Sequence, residues 1–235
     1  MKPQKTILLK LTGAILQDLE NKNLSKNLIC SIAEQIKQLQ DTHYFGIVIG
    51  GGNFFRGSQH GKKLALQPAV GHQIGMLATV MNGLILKDVF EQHGVTSSLF
   101  CAVPSGEIGI PISQQAINHA RNKHQCMIFT GGTGNPFFTT DTNAVLRALQ
   151  INATEVWKGT NIDGIYDADP RTHKHAQKLK NVSYDYALQQ GLRIMDATAY
   201  AMAREHKMPI HVFDIFSSNA LIHASTNTAF GSIIT

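Results

Sequence analysis

Gly131-Gly132-Thr133-Gly134-Asn135-Pro136-Phe137-Phe138-Thr139-Thr140-Asp141 stands directly after the apolar run Cys126-Met127-Ile128-Phe129. A β-branched and aromatic run that breaks into glycine reads as a strand ending in a tight turn. The next stretch, with Thr140 or Asp141 as N-cap before Ala144-Val145-Leu146, reads as a helix start. The same arrangement occurs twice more. Ile7-Leu8-Leu9 leads into Lys10-Leu11-Thr12-Gly13, and Phe45-Gly46-Ile47-Val48-Ile49 leads into Gly50-Gly51-Gly52-Asn53-Phe54-Phe55-Arg56-Gly57. Glycine lets a backbone approach a phosphate closely and turn N–H groups toward it. A following helix adds the positive end of its dipole. Any one such turn is ordinary punctuation. Three together, two of them carrying a cation, point to a site that handles polyphosphate. None fits G-x-x-x-x-G-K-[ST], and none is a dinucleotide fingerprint with its downstream acid.

Outward from these turns, short apolar runs alternate with amphipathic stretches. Helices are expected over 24–39, where Leu24, Leu28, Ile32 and Ile36 recur every four residues, and over 71–93, with Ile74, Leu77, Ala78 and Met81 on one face. Further helices are expected over 115–122, 141–151, 184–190 and 197–206. Strands are expected over 99–103, 126–129, 155–157, 209–213 and 232–234. The stretch 173–180 is polar and basic and reads as a mobile surface loop. This rhythm predicts an α/β protein, a three-layer αβα sandwich around a mostly parallel sheet. No linker divides residues 1–235, so one domain is expected.

Composition narrows the class. A chain of 235 residues with 43% hydrophobic and 16% charged residues is not a disordered one. The net charge of +5 lies wholly in residues 1–63, where nine Lys/Arg face four acids. That asymmetry suggests an anionic ligand. A nucleic-acid surface is not expected, because the N-terminal lysines are not interleaved with aromatics. Cys30, Cys101 and Cys126 form an odd, widely spaced set, which reads as buried thiols in a reduced, cytoplasmic setting. Neither a secretory leader nor a membrane span is expected.

The motifs in their order closely resemble those of bacterial uridylate (UMP) kinases of the amino-acid-kinase superfamily. The matching pieces are Leu8 to Gly13, Val48 to Gly57, Gly75 to Asn82, Gly132 to Asp141, Asp163 to Pro170, and Ile194-Met195-Asp196. The resemblance implies the reaction MgATP + UMP → MgADP + UDP, Mg²⁺ arriving with ATP, and a homohexamer with the 75–88 helix as a subunit contact. It implies an N-terminal part that binds the phosphoryl acceptor and a C-terminal part that binds ATP. By the same resemblance Lys10, Arg56 and Asp141 are catalytic. ATP is expected against Lys10, Leu11, Thr12, Gly13, Gly52, Arg56, Thr160, Tyr166 and Asp169. UMP is expected against Gly51, His72, Thr133, Gly134, Asn135, Pro136, Phe137, Phe138, Thr139 and Thr140. Phosphoryl transfer between two anions needs neutralised charge and in-line placement more than covalent chemistry. Lys10 suits the transferring group and Arg56 could bridge two phosphates. Asp141 more plausibly orients Lys10 than abstracts a proton, and Asp196 reads as a buttress.

The sequence departs from the family pattern at His72, where an aspartate that would bind the UMP ribose is usual. A neutral imidazole has one acceptor nitrogen against two carboxylate oxygens. UMP affinity is then expected to respond to pH near ~6.5, the ordinary imidazole value. Thr12 replaces the usual Ser, Asn161 a basic residue, and Asp214 an Asn. His173 and His175 read as surface residues. Other readings are a same-fold kinase acting on a carboxylate or carbamate, and a nucleotide-binding storage or regulatory protein without turnover.

Overall fold

The computed structural model describes residues 5–18, 23–56, 60–61, 63–104, 106–192 and 194–235. Gly57 and Lys62 lie outside the described residues. At the centre is a nine-stranded sheet, built from β1 (Lys5–Leu11), β2 (His43–Ile49), β3 (Ser97–Cys101), β4 (Ile110–Pro111), β5 (Cys126–Thr130), β6 (Glu155–Thr160), β9 (Asn181–Val182), β10 (Ile210–Asp214) and β11 (Ser232–Ile234). The order is β4-β3-β5-β2-β1-β6-β10-β11-β9, and every neighbouring pair is parallel except β10–β11. A separate antiparallel pair joins β7 (Ile165–Tyr166) to β8 (Lys178–Leu179).

The central strands are buried on both faces, as a sheet between two helical layers must be, whereas the edge strand β4 is exposed. In β1, Ile7, Leu9 and Leu11 face one core, and Leu8 faces the other. In β2, Phe45, Ile47 and Ile49 join the first core, and Tyr44 and Val48 the second. The first core is closed by α1 (Asn27–Leu39), α2 (Pro68–Gln92) and α7 (Ala220–Thr226). The second is closed by α3 (Gln114–Asn122), α4 (Thr140–Gln150), α5 (Tyr184–Gln189) and α6 (Ala197–Glu205). The three-layer αβα sandwich with a mostly parallel sheet is therefore the architecture observed.

Several details differ from the expectation. The first helix begins at Asn27, so Leu24, expected on its apolar face, lies outside it and is exposed. The cap of α4 is Thr139, whose Oγ1 accepts from the amides of Asp141 at 3.0 Å and Thr142 at 3.3 Å; neither Thr140 nor Asp141 holds that place. A hydroxyl one residue earlier reaches the free N–H groups of the first turn better than either. The 173–180 stretch is not all loop, because Lys178–Leu179 pairs with Ile165–Tyr166. On α2, Ala78 is buried but Leu77 and Met81 are 57% and 45% exposed. Its buried side is instead Ala78, Asn82, Gly83, Leu86 and Phe90. A Cβ at Gly83 would stand 2.2 Å from the Thr130 methyl, so glycine there lets the helix lie close to β5. By length and composition α2 could cross a membrane; its Leu86–Phe90 side packs into the first core.

Candidate active site

The sheet brings Lys10 and Lys158 side by side. In the β1–β6 register they are direct partners, so both side chains leave the same face at the carboxyl ends of their strands. Sequence reasoning named Lys10 and missed Lys158. A lysine after a buried Trp157 carries no local signal, and only the strand order reveals its neighbour. Asp141, in the first turn of α4, stands between the two. Its Oδ1 lies 3.1 Å from the Lys10 Nζ and its Oδ2 accepts from the Lys158 Nζ at 2.9 Å. The three side chains are only 12–18% exposed.

The electrostatics follow from that geometry. Burial pushes the Asp141 carboxyl up, but Lys10 and Lys158 more than offset it and hold the group below the usual carboxylate range. Burial and then the like charge of Lys10 push Lys158 down, with Asp141 opposing. Two lysines share one carboxylate in a partly dry setting, which suits a transferring phosphoryl group. Lys158 also donates to the Ile194 carbonyl. Asp196 fixes the surroundings: its Oδ1 caps α6 by accepting from the Thr198 and Ala199 amides, both at 3.0 Å, and it accepts from the Thr139 and Thr142 hydroxyls. It ties α6 to the start of α4, and so to Asp141.

The three glycine turns converge around this cluster. A Cβ at Gly13 would lie 2.3 Å from Asn53 Oδ1, and one at Gly51 would lie 2.7 Å from the Ala78 Cβ. Asn82, buried in α2, donates to the Gly50 carbonyl at 2.7 Å and exchanges amide hydrogen bonds with Asn53. Sequence reasoning also missed Asn82 as the tie between α2 and this loop. Thr12 caps the short 3-10 turn Gly13–Leu16. Leu11 was expected among the ATP contacts, but its side chain is fully buried in the first core and only its backbone lines the turn. Arg56 is not with the lysines. It is exposed, and its Nε donates to the Gly52 carbonyl at 3.0 Å.

The Gly131–Thr139 loop runs past α2. Gly131 donates to the Thr79 hydroxyl at 2.9 Å, and the His72 ring lies 5.1 Å from the Phe137 ring. Phe137 (φ 71°) and Phe138 are exposed. Thr133 Oγ1 accepts from the Asn135 amide at 3.2 Å, which closes the turn that leads into Pro136. Thr140 Oγ1 would be 3.6 Å from a Cβ on Gly50, so the two loops meet.

On the other side of Lys158 opens a cavity of about 630 Å³, lined by Lys158, Thr160, Tyr166, Asp169, Leu192 and Ile194 among others. Three residues expected to hold ATP share this one wall. The Tyr166 hydroxyl donates to Asp163 at 2.8 Å, and Lys178 pairs with the same carboxylate at 3.0 Å. The Asp169 carboxylate accepts from the Arg171 amide and Nε, which holds it below its ordinary value.

A cationic pair shared by one carboxylate, with glycine loops on one side and a cavity on the other, is chemistry suited to phosphoryl transfer at the carboxyl edge of a parallel sheet. The model of the Amino acid kinase family matches residues 5–214. The chain is 42% identical over 219 residues to the uridylate kinase of Psychrobacter cryohalolentis, covering 92% of this chain and 90% of that one. The UMP kinase of Ureaplasma parvum superimposes with a TM-score of 0.95 at 33% identity, covering 99% of each chain. That of Bacillus anthracis gives 0.93 at 28% identity, covering 100% of this chain and 97% of the other. The chain belongs to the amino acid kinase family, on its uridylate kinase branch.

Proposed function

We propose that Lys10, Asp141 and Lys158 form the transfer centre of an enzyme that phosphorylates UMP with ATP. The reaction is ATP-dependent phosphorylation of UMP to UDP, the work of a nucleoside monophosphate kinase. The observation that carries the centre is the Lys10–Asp141–Lys158 bridge between the acceptor loop and the donor cavity. ATP occupies the cavity walled by Thr160, Tyr166 and Asp169, with its phosphates directed to the Lys10–Gly13 turn and Gly52. UMP lies along Gly51, His72 and the Thr133–Thr140 loop, so acceptor and donor fall to the N-terminal and C-terminal parts of one domain.

The UMP phosphate is already an anionic nucleophile, so no strong base is required. Asp141 is ionised and both its oxygens face lysines. It therefore orients the two cations and takes no proton. Lys10 and Lys158 neutralise charge that spreads over the transferring phosphoryl oxygens. Arg56 is exposed and tethered only through its Nε to the Gly52 carbonyl, which leaves the two terminal nitrogens of its fork for a phosphate beside that loop. The residues present also fit a magnesium ion carried by the nucleotide. The nearest carboxylate is engaged by lysines, and Mg²⁺ prefers substrate phosphates and water to an all-protein cage. When bound with ATP it would neutralise donor charge.

The enzyme works in the cytoplasm, in pyrimidine nucleotide biosynthesis, as a homohexamer. The free thiols of Cys30, Cys101 and Cys126 suit a reducing compartment. Val70, Leu77, Met81 and Leu84 form an exposed apolar stripe along α2, of the kind a second copy covers. The test is to follow ADP from MgATP with UMP, CMP, dUMP, acetylglutamate or carbamate as acceptor. Turnover with UMP is expected; ATP binding with no ADP from UMP would overturn the reading in favour of a storage protein.

A further inference from the structure

Arg147 is the one arginine in the core of the described residues, 4% exposed on α4. Buried charges are ordinarily paired, because desolvating an ion is expensive. Among the described residues this guanidinium has no carboxylate within ion-pair distance. One arm donates to the Gly132 carbonyl at 3.1 Å and the other to Gln150 Oε1 at 2.6 Å. The carbon between them sits 5.9 Å from the centre of the Phe129 ring. The Nε is buried without a protein partner. Burial lowers its pKa to about 10, which leaves it protonated at neutral pH.

The group it grips matters. Gly132 lies in a turn where Gly131, Gly132 and Gly134 all adopt left-handed φ angles of 73°, 59° and 84°. A Cβ on Gly131 would lie 2.9 Å from the Ala102 amide nitrogen, and one on Gly134 2.9 Å from the Ala102 carbonyl oxygen. The turn is fastened at Gly131 to Thr79 of α2 and at Gly132 to Arg147 of α4. We propose that Arg147 is a positioning residue for the acceptor: it holds the Gly131–Gly134 turn in shape and sets an uncompensated positive charge behind it, favouring an acceptor that carries a phosphate. The inference rests on the reading that UMP lies along this loop.

The experiment measures binding of UMP and of uridine, without ATP, to the full chain and to Arg147→Gln and Arg147→Lys variants. Glutamine keeps a donor for Gly132 but loses the charge; lysine keeps the charge but loses the fork. UMP affinity should fall about tenfold in Arg147→Gln and less in Arg147→Lys, with uridine affinity changed by no more than about twofold. ATP affinity should be unmoved. A fall shared by UMP, uridine and ATP, or equal in both variants, would reduce Arg147 to packing and overturn the proposal, as would no change. If Arg147→Gln does not fold, the UMP-to-uridine ratio in Arg147→Lys decides, because a role confined to packing leaves that ratio at its native value. Thr133→Ala separates the two claims: unchanged UMP affinity there means the acceptor loop is wrongly assigned, whatever Arg147 does.

Discussion

Lys10 and Arg56 are both cations at the mouth of a glycine turn, yet the fold treats them differently. Lys10 ends a central strand, is largely buried, and is held by a carboxylate that a capped helix presents. Arg56 sits in an exposed loop and rests on the carbonyl of Gly52, four residues back. The first arrangement is complete before any substrate arrives, so it costs no reorganisation during the reaction. The second has no such carboxylate to hold it, so an exposed side chain must be ordered on binding. A preorganised cation should therefore influence kcat most, and a recruited one should act partly through substrate affinity.

The most severe break is Asp141→Asn. It leaves two buried ammonium groups without their shared anion, and losing one partner of such a cluster costs on the order of 3 kcal/mol of stability. The kcat should fall by about 10²–10³, read in a coupled ADP assay, while a Tm scan reads the stability. The pH dependence has a definite sign. Because the folded carboxyl titrates below its ordinary range, its stabilisation is full above about pH 4 and is lost as pH falls through the folded value. Acid unfolding of Asp141→Asn should accordingly be less steep. A variant with native kcat would end the orienting role.

Next comes Lys158→Met, expected to lower kcat by about 10²-fold with UMP KM nearly constant, since the loss falls on the transition state. Its stability should hold, because Asp141 keeps Lys10 and a buried cation is removed. An effect confined to KM would place Lys158 outside the transfer centre. For Arg56→Ala, a smaller drop of about tenfold in kcat is expected, together with a rise in KM for at least one substrate. An effect as large as that of Lys158→Met would mean that Arg56 is as well fixed in the working complex as the lysines.

The same contrast explains what could be read from sequence. Lys10, Asp141 and the glycine turns were legible because each is local: apolar strand, glycine, helix cap. The runs Ile7-Leu8-Leu9 and Phe45–Ile49 were legible as strands for the same reason, whereas which of their side chains enters which core shows only in the fold. Lys158 was not, because its meaning is a register with a strand roughly 150 residues away. Two-residue strands such as Ile165–Tyr166 and Lys178–Leu179 are too short to show a period, and they exist because the hairpin pairs them. The helix Ala220–Thr226 follows Asn219 in a left-handed conformation with no side-chain cap, so the usual start signal is missing. The stripe of α2 misled in another way. Leu77 and Met81 are as apolar as a core face, but the helix turns them outward and buries Ala78, Asn82 and Leu86 instead.

The mildest break concerns His72 and Phe137, whose rings meet at the edge of the acceptor loop. Phe137 is 67% exposed and holds a left-handed backbone angle, a conformation that costs a bulky residue energy unless its surroundings retain it. The His72 ring is the contact on the α2 side. Replacing His72 with Ala removes that contact without touching Lys10, Asp141 or Lys158. The expected result is a rise of about two- to fivefold in UMP KM with kcat and ATP KM preserved, because a loosened loop weakens ground-state binding and leaves the transfer centre intact. Phe137→Gly should give the same pattern, since it removes the ring while relieving the backbone. If His72→Ala matters and Phe137→Gly does not, the imidazole contacts UMP itself. The ring pair would then be a consequence of where the histidine stands, and the acceptor loop would keep its shape through its ties to Thr79, Arg147 and Asp196.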